Sequence, residues 1–600
     1  MLQASRNTFF SAALMAAMTC GAAVNADDQQ DYDMRKEQTL RTHDFDVEHY
    51  RVALTLDEDS RSFDGKTDIT FSSTVDRLGG IKLDAETFTV TSVTGPKGYK
   101  RNFIQTDGKL LIHLPTKLAK GESTTLTITY EAKNIIIDSV EFGMMEGYDL
   151  GIDFQPASET NPQLINSLNF PEGARHWIPS FDHPSDWATH ETIITVKSAY
   201  KVLANGSLIS DTEDADAGTR TVHWSQTKPQ PTYLYVFVAG PYSVLTDSHG
   251  DLPVNYWVYP GDEAVGREAF KETPNIIAFL EDLYGTKYPW DKYDQIIIPG
   301  VGGGAESTGA TLLGERVITM ERAGKKGAND WLIAHELAHH WWGDLIGYKD
   351  WQHVWLAESF ATHGEYLYSK HALGPDEGAL NLLKKKNRYL ADAKNKFMRP
   401  IVTKKWDKPN HMFDTHAYEK GSVILNMFRE IVGAEMFTEI MQAFLSKHGF
   451  DSATTEEFFA TVQEVTGEDY GWFFDQWLLK AGHPVLEVST HFNSSAGILH
   501  VTVEQVQGDS NGVPVYRLPF TIGVTTAAGK TTEQVELTKA KQVFSIKVNE
   551  APLMVRFDEG DILLKEWTFN KTEEELTYQI AHDNNIGRMW AEKQLKALKE

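Results

Sequence analysis

Between about Tyr50 and Leu245 apolar and polar positions alternate: Tyr50, Val52, Leu54 and Leu56 share one face, and Ile69 and Phe71 repeat the pattern. A period of two marks a strand with one buried face, and turn clusters such as Asn205-Gly206 and Pro229-Gln230-Pro231 punctuate it, so this third predicts antiparallel β-structure. From about Gly261 to Ala481 the apolar spacing changes to three and four, as in EAFKETPNIIAFLEDLYG, WLIAHELAHHWWGDLI and YEKGSVILNMFREIVG, which predicts a mostly α domain. Alternation returns after His483-Pro484 in VLEVSTHF, ILHVTVEQV, YRLPFTIGV and KQVFSIKV, the pattern of a β-sandwich of about 80 residues. The last thirty residues set Leu576 with Ile580 and Ala591 with Leu595 at helical spacing around Asn584-Asn585. Two amphipathic helices bury little alone, so they either pack back on the sandwich or open a helical array. The expected fold is multidomain α+β: a β domain over 42–247, a mostly α domain over 248–482, a sandwich over 483–568 and a helical segment over 569–600.

The start of the chain changes the picture. Arg6, an apolar stretch from Phe9 to Val24, and Val24-Asn25-Ala26 before an acidic run have the order of a signal peptide cleaved after Ala26. The product is therefore expected to be exported, periplasmic or secreted. No other stretch approaches the roughly 20 apolar residues a span needs, so no stable membrane insertion is expected after signal removal. Cys20 is the only cysteine and lies inside the removed segment, which leaves the mature chain without disulfides, thiolate ligands or a cysteine nucleophile. The alternative, acylation of Cys20, lacks the usual Leu and small residue in Ala17-Met18-Thr19. With 57 basic against 84 acidic side chains the net charge is -27, which repels phosphate backbones and excludes nucleic acid as a partner. The sequence carries no signal for an oligomeric state.

Within the α region, His335-Glu336-Leu337-Ala338-His339 puts two imidazoles four residues apart, one turn along the same helix face, where both can reach one ion. Nineteen positions later Glu358, in the apolar run WLAESFA, sits on a second candidate helix able to bring a carboxylate alongside. Each residue alone is as readily a core histidine or a surface acid. Together, in a chain without cysteine ligands, they make a His₂Glu zinc site with a position left open for water. Glu365 lies two turns beyond Glu358, where it could accept a hydrogen bond from a ligating histidine, though a solvated acid fits the same spacing. His340, His353 and His363 stand at the wrong offsets and are read as structural or surface residues.

HELAHHWWGD, WLAESFA, YDQIIIPGVGGGAESTG and FDTHAYEKG, with DVEHYRVALTLDEDSRSFDGKTDITF and GARHWIPSFDHP upstream and HPVLEV downstream, resemble the zinc aminopeptidase family that includes aminopeptidase N and leukotriene hydrolase. The resemblance spans about 90% of the expected mature chain. It implies a saddle-like N-terminal β domain, a thermolysin-like catalytic domain, a β-sandwich and, in many members, a C-terminal helical superhelix. It also implies one Zn2+ per chain held by His335, His339 and Glu358, Glu336 as general base, and Tyr418 as the donor that stabilises the oxyanion. The Gly-rich run Gly302 to Ser307 is no phosphate cradle, since no Gly-Lys-Ser/Thr follows. It resembles instead the family's exopeptidase loop, in which Gly303, Gly304 and Ala305 pair with substrate as an added strand and Glu306 binds the α-ammonium.

The match fails at four positions. Ala305 and Ser307 stand where the family loop has Met and Asn, and Leu168 and Phe170 stand where it has Gln and Glu before Ala-Arg. The expected consequences are a roomier and more apolar first pocket, with Glu306 carrying most of the ammonium recognition. The function implied is an exported zinc-dependent aminopeptidase acting on peptides. The alternatives are a leukotriene-hydrolase-like epoxide hydrolase, which shares the zinc site, a non-catalytic scaffold, and an endopeptidase of the thermolysin kind.

Overall fold

The computed structural model describes residues 26–135, 140–142, 145–148, 150–508 and 512–599; the expected signal peptide up to residue 25, Cys20 included, lies outside them. After a short helix, Ala26–Met34, the N-terminal region is mainly β, built on a seven-stranded sheet with a four-stranded and a three-stranded sheet beside it. The alternation read from sequence is the burial pattern observed: Tyr50, Val52, Leu54, Ile69 and Phe71 are all within the core. One pairing departs from the antiparallel expectation. Phe45–Asp57 runs antiparallel to Ser62–Ser73 but parallel to Ala188–Lys197, in register from His49 opposite Thr189 to Thr55 opposite Thr195. A period of two fixes which face is buried and says nothing of strand direction, and the long excursion between the two strands supplies the crossover that a parallel pair needs.

A five-stranded sheet opens the second region. Its order is Ser243–His249, Leu252–Val258, Tyr293–Ile298, Ala310–Gly314 and Gly304–Ala305, with the last strand at the edge. The first of these straddles the expected boundary at 247/248 because the alternation is continuous across it. The three inner strands are parallel neighbours, and Tyr293–Ile298 and Ala310–Gly314 are buried at every position, as strands covered on both faces must be. Helices follow from Arg316 to Leu478, so the domain is mostly α with a sheet at one side.

The sandwich packs a four-stranded sheet on a three-stranded one, with Phe520 and Phe544 meeting edge to face between them at 5.8 Å. The two C-terminal helices, Glu573–His582 and Asn585–Lys599, take the first of the two routes open to them and pack back on the sandwich. Trp590 stacks on Trp567 at 4.8 Å, Glu575 accepts from the Val555 backbone at 3.0 Å, and Arg556 pairs with Asp583. Among the described residues no helix is long and apolar enough to cross a membrane.

Candidate active site

The helix Asp330–His339 is buried on every side from Leu332 onward, so its histidines, four apart on one face, point into the interior. The helix Trp355–Leu373 packs across it where both carry small residues: a Cβ on Gly364 would stand 3.0 Å from the Ala338 Cβ and 2.8 Å from the Tyr284 hydroxyl. Trp342 stacks on Phe360 at 3.7 Å between the two. This crossing brings three ligand atoms together. His335 Nε2 and His339 Nε2 are 3.1 Å apart, and Glu358 Oε2 is 3.3 Å from His339 Nε2 and 3.7 Å from His335 Nε2.

The donor set fits zinc. Ligands about 2.0–2.2 Å from a tetrahedral zinc stand roughly 3.3 Å from one another, which is the span observed. Glu358 Oε2 is buried without a hydrogen-bond donor, an arrangement costly to a carboxylate unless a cation completes it. The His339 Nδ1–H donates to the Trp342 carbonyl at 3.0 Å, which leaves Nε2 with a free lone pair facing the other ligands. Charge points the same way. Burial alone would lower the His339 imidazole, but Glu358, Glu306 and Glu336 outweigh it and push it up to about 10. Burial would raise Glu358, but the adjacent His339 and His335 imidazoles outweigh it and hold it at about 2. The cluster demands positive charge at its centre.

Glu336 lies against the edge strand, lines the same cavity and adds no atom to the ligand cluster. A Cβ on Gly304 would stand 2.5 Å from its carboxyl carbon, so any larger residue there would displace the Glu336 carboxylate. Burial pushes the Glu336 carboxyl well above the usual carboxylate range. Glu306, at the end of the same strand and 6% exposed, is also raised by burial, with His339 opposing. A cavity of about 460 Å³ gathers the sequence-predicted residues: Gly303, Gly304, Ala305, Glu306, His335, Glu336, His339, Glu358, Glu365 and Tyr418 all line it. Leu168 and Phe170 line it too, and Phe170 packs on Phe413 at 4.8 Å and on Tyr233 at 5.4 Å, so that end of the cavity is aromatic. Ser307 is buried and lies outside the lining.

Glu365 departs from expectation. Its Oε2 is 3.9 Å from His335 Nδ1, beyond hydrogen-bond range, while its Oε1 accepts from Lys385 at 2.8 Å and from Asn381 at 3.2 Å. An ammonium twenty residues away along the chain competes for the carboxylate. His340, His353 and His363 are buried, and none belongs to the ligand cluster.

Tyr418 rides on a π-helical turn, His416–Lys420, with its ring 6.1 Å from that of His335 and nearly parallel to it. Sequence reading missed what holds this turn. Asp414 accepts from the His416 and Ala417 backbone N–H at 2.9 and 3.3 Å and from Arg399 Nη2 and Nε at 2.7 and 2.9 Å; Ser359 donates to the Ala417 carbonyl at 2.6 Å. Gly421 is obligatory, because any Cβ would overlap Ser359 Oγ. The only sequence signal was the acid four residues before the tyrosine and the glycine three after it.

Burial would raise Asp414, but fully buried Arg399 and His416 outweigh it and hold the carboxyl far below the usual carboxylate range. A carboxyl depressed on folding contributes stability above its unfolded pKa, near 3.9, and loses it as pH falls towards the folded value. Urea midpoints measured from pH 5 down to 2 are therefore expected to fall less steeply in Asp414→Asn than in the parent chain. Equal slopes would remove the pair from the account of acid stability.

Residues 46–234 match the model of the peptidase M1 N-terminal domain, and residues 268–477 match that of the peptidase family M1 domain, together about two thirds of the chain. The chain belongs to peptidase family M1. Zinc is the cofactor of this family. Probable aminopeptidase 1 of Sulfurisphaera tokodaii is 29% identical over 405 residues, 64% of this chain and 50% of that protein. The fold is similar to that of Legionella pneumophila aminopeptidase A solved with aspartic acid, at a TM-score of 0.78 and 19% identity, covering 93% of this chain and 64% of that one. It is also similar to an M1 zinc metallopeptidase from Deinococcus radiodurans bound to a Tyr-Ser-Ala substrate, at 0.62 and 24%, covering 73% and 95%. This M1 chain spans about a third to just over half the length of the first relatives it matches.

Proposed function

We infer that this chain is a zinc aminopeptidase that removes the N-terminal residue from peptides. The observation that carries the reading is Glu306: a buried carboxylate at the end of an edge strand, in the same cavity as the His335, His339 and Glu358 ligand set. Those three residues would hold the ion. Zinc, when bound, supplies a Lewis acid and a water of lowered pKa.

The rest is work for the chain's own side chains. The unpaired edge of Gly304–Ala305 offers backbone groups to an extended peptide, which places the first residue's ammonium at Glu306. Glu336, lying against that strand, takes the proton of the attacking water and passes it to the leaving amine. The Tyr418 phenol, which burial keeps protonated, donates to the oxygen that becomes negative as the carbonyl is attacked. Leu168, Phe170, Phe413 and Ala305 surround the first side chain with apolar surface and leave room where a longer residue would reach in. This supports a preference for large hydrophobic first residues. The leader read at residues 1–26 supports export to the periplasm or medium, with peptides met there as substrates.

A panel of aminoacyl-arylamides tests the reading. Leu or Phe derivatives are expected to be hydrolysed, with activity lost to a chelator and restored by zinc. N-acetylation is expected to lower kcat/KM by about 10²-fold or more, since it leaves the buried Glu306 charge unpaired. Comparable cleavage of acetylated substrates would identify an endopeptidase, and a preference for Ala or basic first residues would remove the apolar pocket.

A further inference from the structure

The helix Pro375–Asn395 forms one wall of the cavity, and the side chains it presents there are Asn381, Lys384, Lys385 and Arg388. These positions are spaced i, i+3, i+4 and i+7, a single stripe down one helix face. Three cations on one stripe repel one another at i+3 and i+4, which works against the helix. Two of them are answered by acids on other elements: Lys385 by Glu365 at 2.8 Å, and Arg388 by Glu419 at 2.9 Å. Lys384 has no acid within ion-pair distance among the described residues, and its surplus charge faces the cavity of a chain whose net charge is -27.

The order of groups along the cavity says which part of a substrate meets this stripe. Glu306 follows the edge strand Gly304–Ala305, whose Gly304 lies against Glu336 on the helix that carries the two histidines. The cationic stripe is joined instead to the helix that carries Glu358, through Lys385 on Glu365, whose Oε2 is 3.9 Å from His335 Nδ1. The acid for the peptide's amine and the cationic stripe are therefore set on different walls of the cavity, one against each ligand-bearing helix. A peptide anchored by its ammonium at Glu306, with its first carbonyl at the ligand set, sends its second and later residues towards Lys384.

We propose that the Lys384, Lys385 and Arg388 face is a subsite for a carboxylate on the leaving side of the scissile bond. It selects short peptides or peptides with an acidic second residue. The proposal rests on the aminopeptidase reading and adds to it the charge of the leaving group. Lys384 supplies the surplus positive charge, while Lys385 and Arg388, held by Glu365 and Glu419, fix the helix face that presents it. The carboxylate has two sources, the free C-terminus of a di- or tripeptide and the side chain of Asp or Glu, and the two are separable.

The test compares kcat/KM for Leu-Ala with Leu-Ala-amide, and for Leu-Glu-amide with Leu-Gln-amide, in the parent enzyme and in Lys384→Glu. The first pair reads the terminal carboxylate and the second reads the side chain. A charge-assisted contact of this kind is expected to give a ratio of about tenfold in favour of the carboxylate in at least one pair. That ratio is expected to fall to about one or below in Lys384→Glu, and to shrink in the parent as ionic strength rises. Parent ratios near one in both pairs, or a ratio untouched by the substitution, would overturn the subsite while leaving the aminopeptidase reading in place. Failure to cleave Leu-arylamide and all four peptides would instead overturn the reading beneath it.

Discussion

Glu336→Gln is expected to keep one zinc per chain and to lower kcat for peptide hydrolysis by about 10²- to 10⁴-fold, the usual contribution of a positioned general base. The two halves of that result have separate causes. Zinc is retained because the convergent ligand atoms are His335 Nε2, His339 Nε2 and Glu358 Oε2, and Glu336 adds none to them. Activity is lost because an amide of the same shape cannot take up a proton. Burial pushes the Glu336 carboxyl above the usual carboxylate range, which strengthens it as a proton acceptor. The substitution also removes a potential charge from a side chain only 4% exposed, so the melting temperature is expected to hold or rise. Metal content by elemental analysis, kcat on Leu-arylamide and thermal unfolding settle it together. Loss of zinc in parallel with activity would make Glu336 a residue that supports the ligand set and would sink its assignment as base.

The contrast between the legible and the hidden parts of the site comes from the range of the interactions involved. His335, Glu336 and His339 were legible because a helix converts a spacing of four into a shared face with no help from elsewhere. Glu358 was legible at one remove, since its helix had to cross the first, and the crossing depends on Gly364 meeting Ala338. Glu365 shows where such reasoning ends. Its place on the helix face was right, but which partner it takes is decided by Lys385 on the next helix, and no local pattern announces that pair. The cationic stripe escaped for the same reason: on a helix bearing Lys, Arg and Asn, a cavity-facing side looks like a solvated one until the opposite wall is placed. In the N-terminal sheet, alternation fixed the buried face of Phe45–Asp57 while its parallel neighbour, Ala188–Lys197, came from topology.

Tyr418→Phe is expected to lower kcat by about 10²- to 10³-fold with little change in KM, zinc content or melting temperature. The ring packs beside His335, and phenylalanine preserves that packing, so the substitution removes one hydroxyl and little else. Burial, reinforced by the charges of Glu358 and Glu306, raises the phenol well above its ordinary value, which keeps it a protonated donor at neutral pH. A donor that acts on an oxygen only once it becomes negative contributes to the transition state and hardly at all to the bound substrate, which is why the loss belongs in kcat. Position matters as much as chemistry. The hydroxyl is presented by a π-helical turn that Asp414 ties to Arg399 and that Ser359 ties to the glutamate-bearing helix, so donor and ligand set are parts of one rigid assembly. Loosening that turn with Asp414→Asn is therefore expected to reproduce part of the kcat loss while the phenol itself is intact. A variant Tyr418→Phe that kept its kcat and raised only KM would show the tyrosine to be a wall of the substrate pocket, and the oxyanion would need another donor.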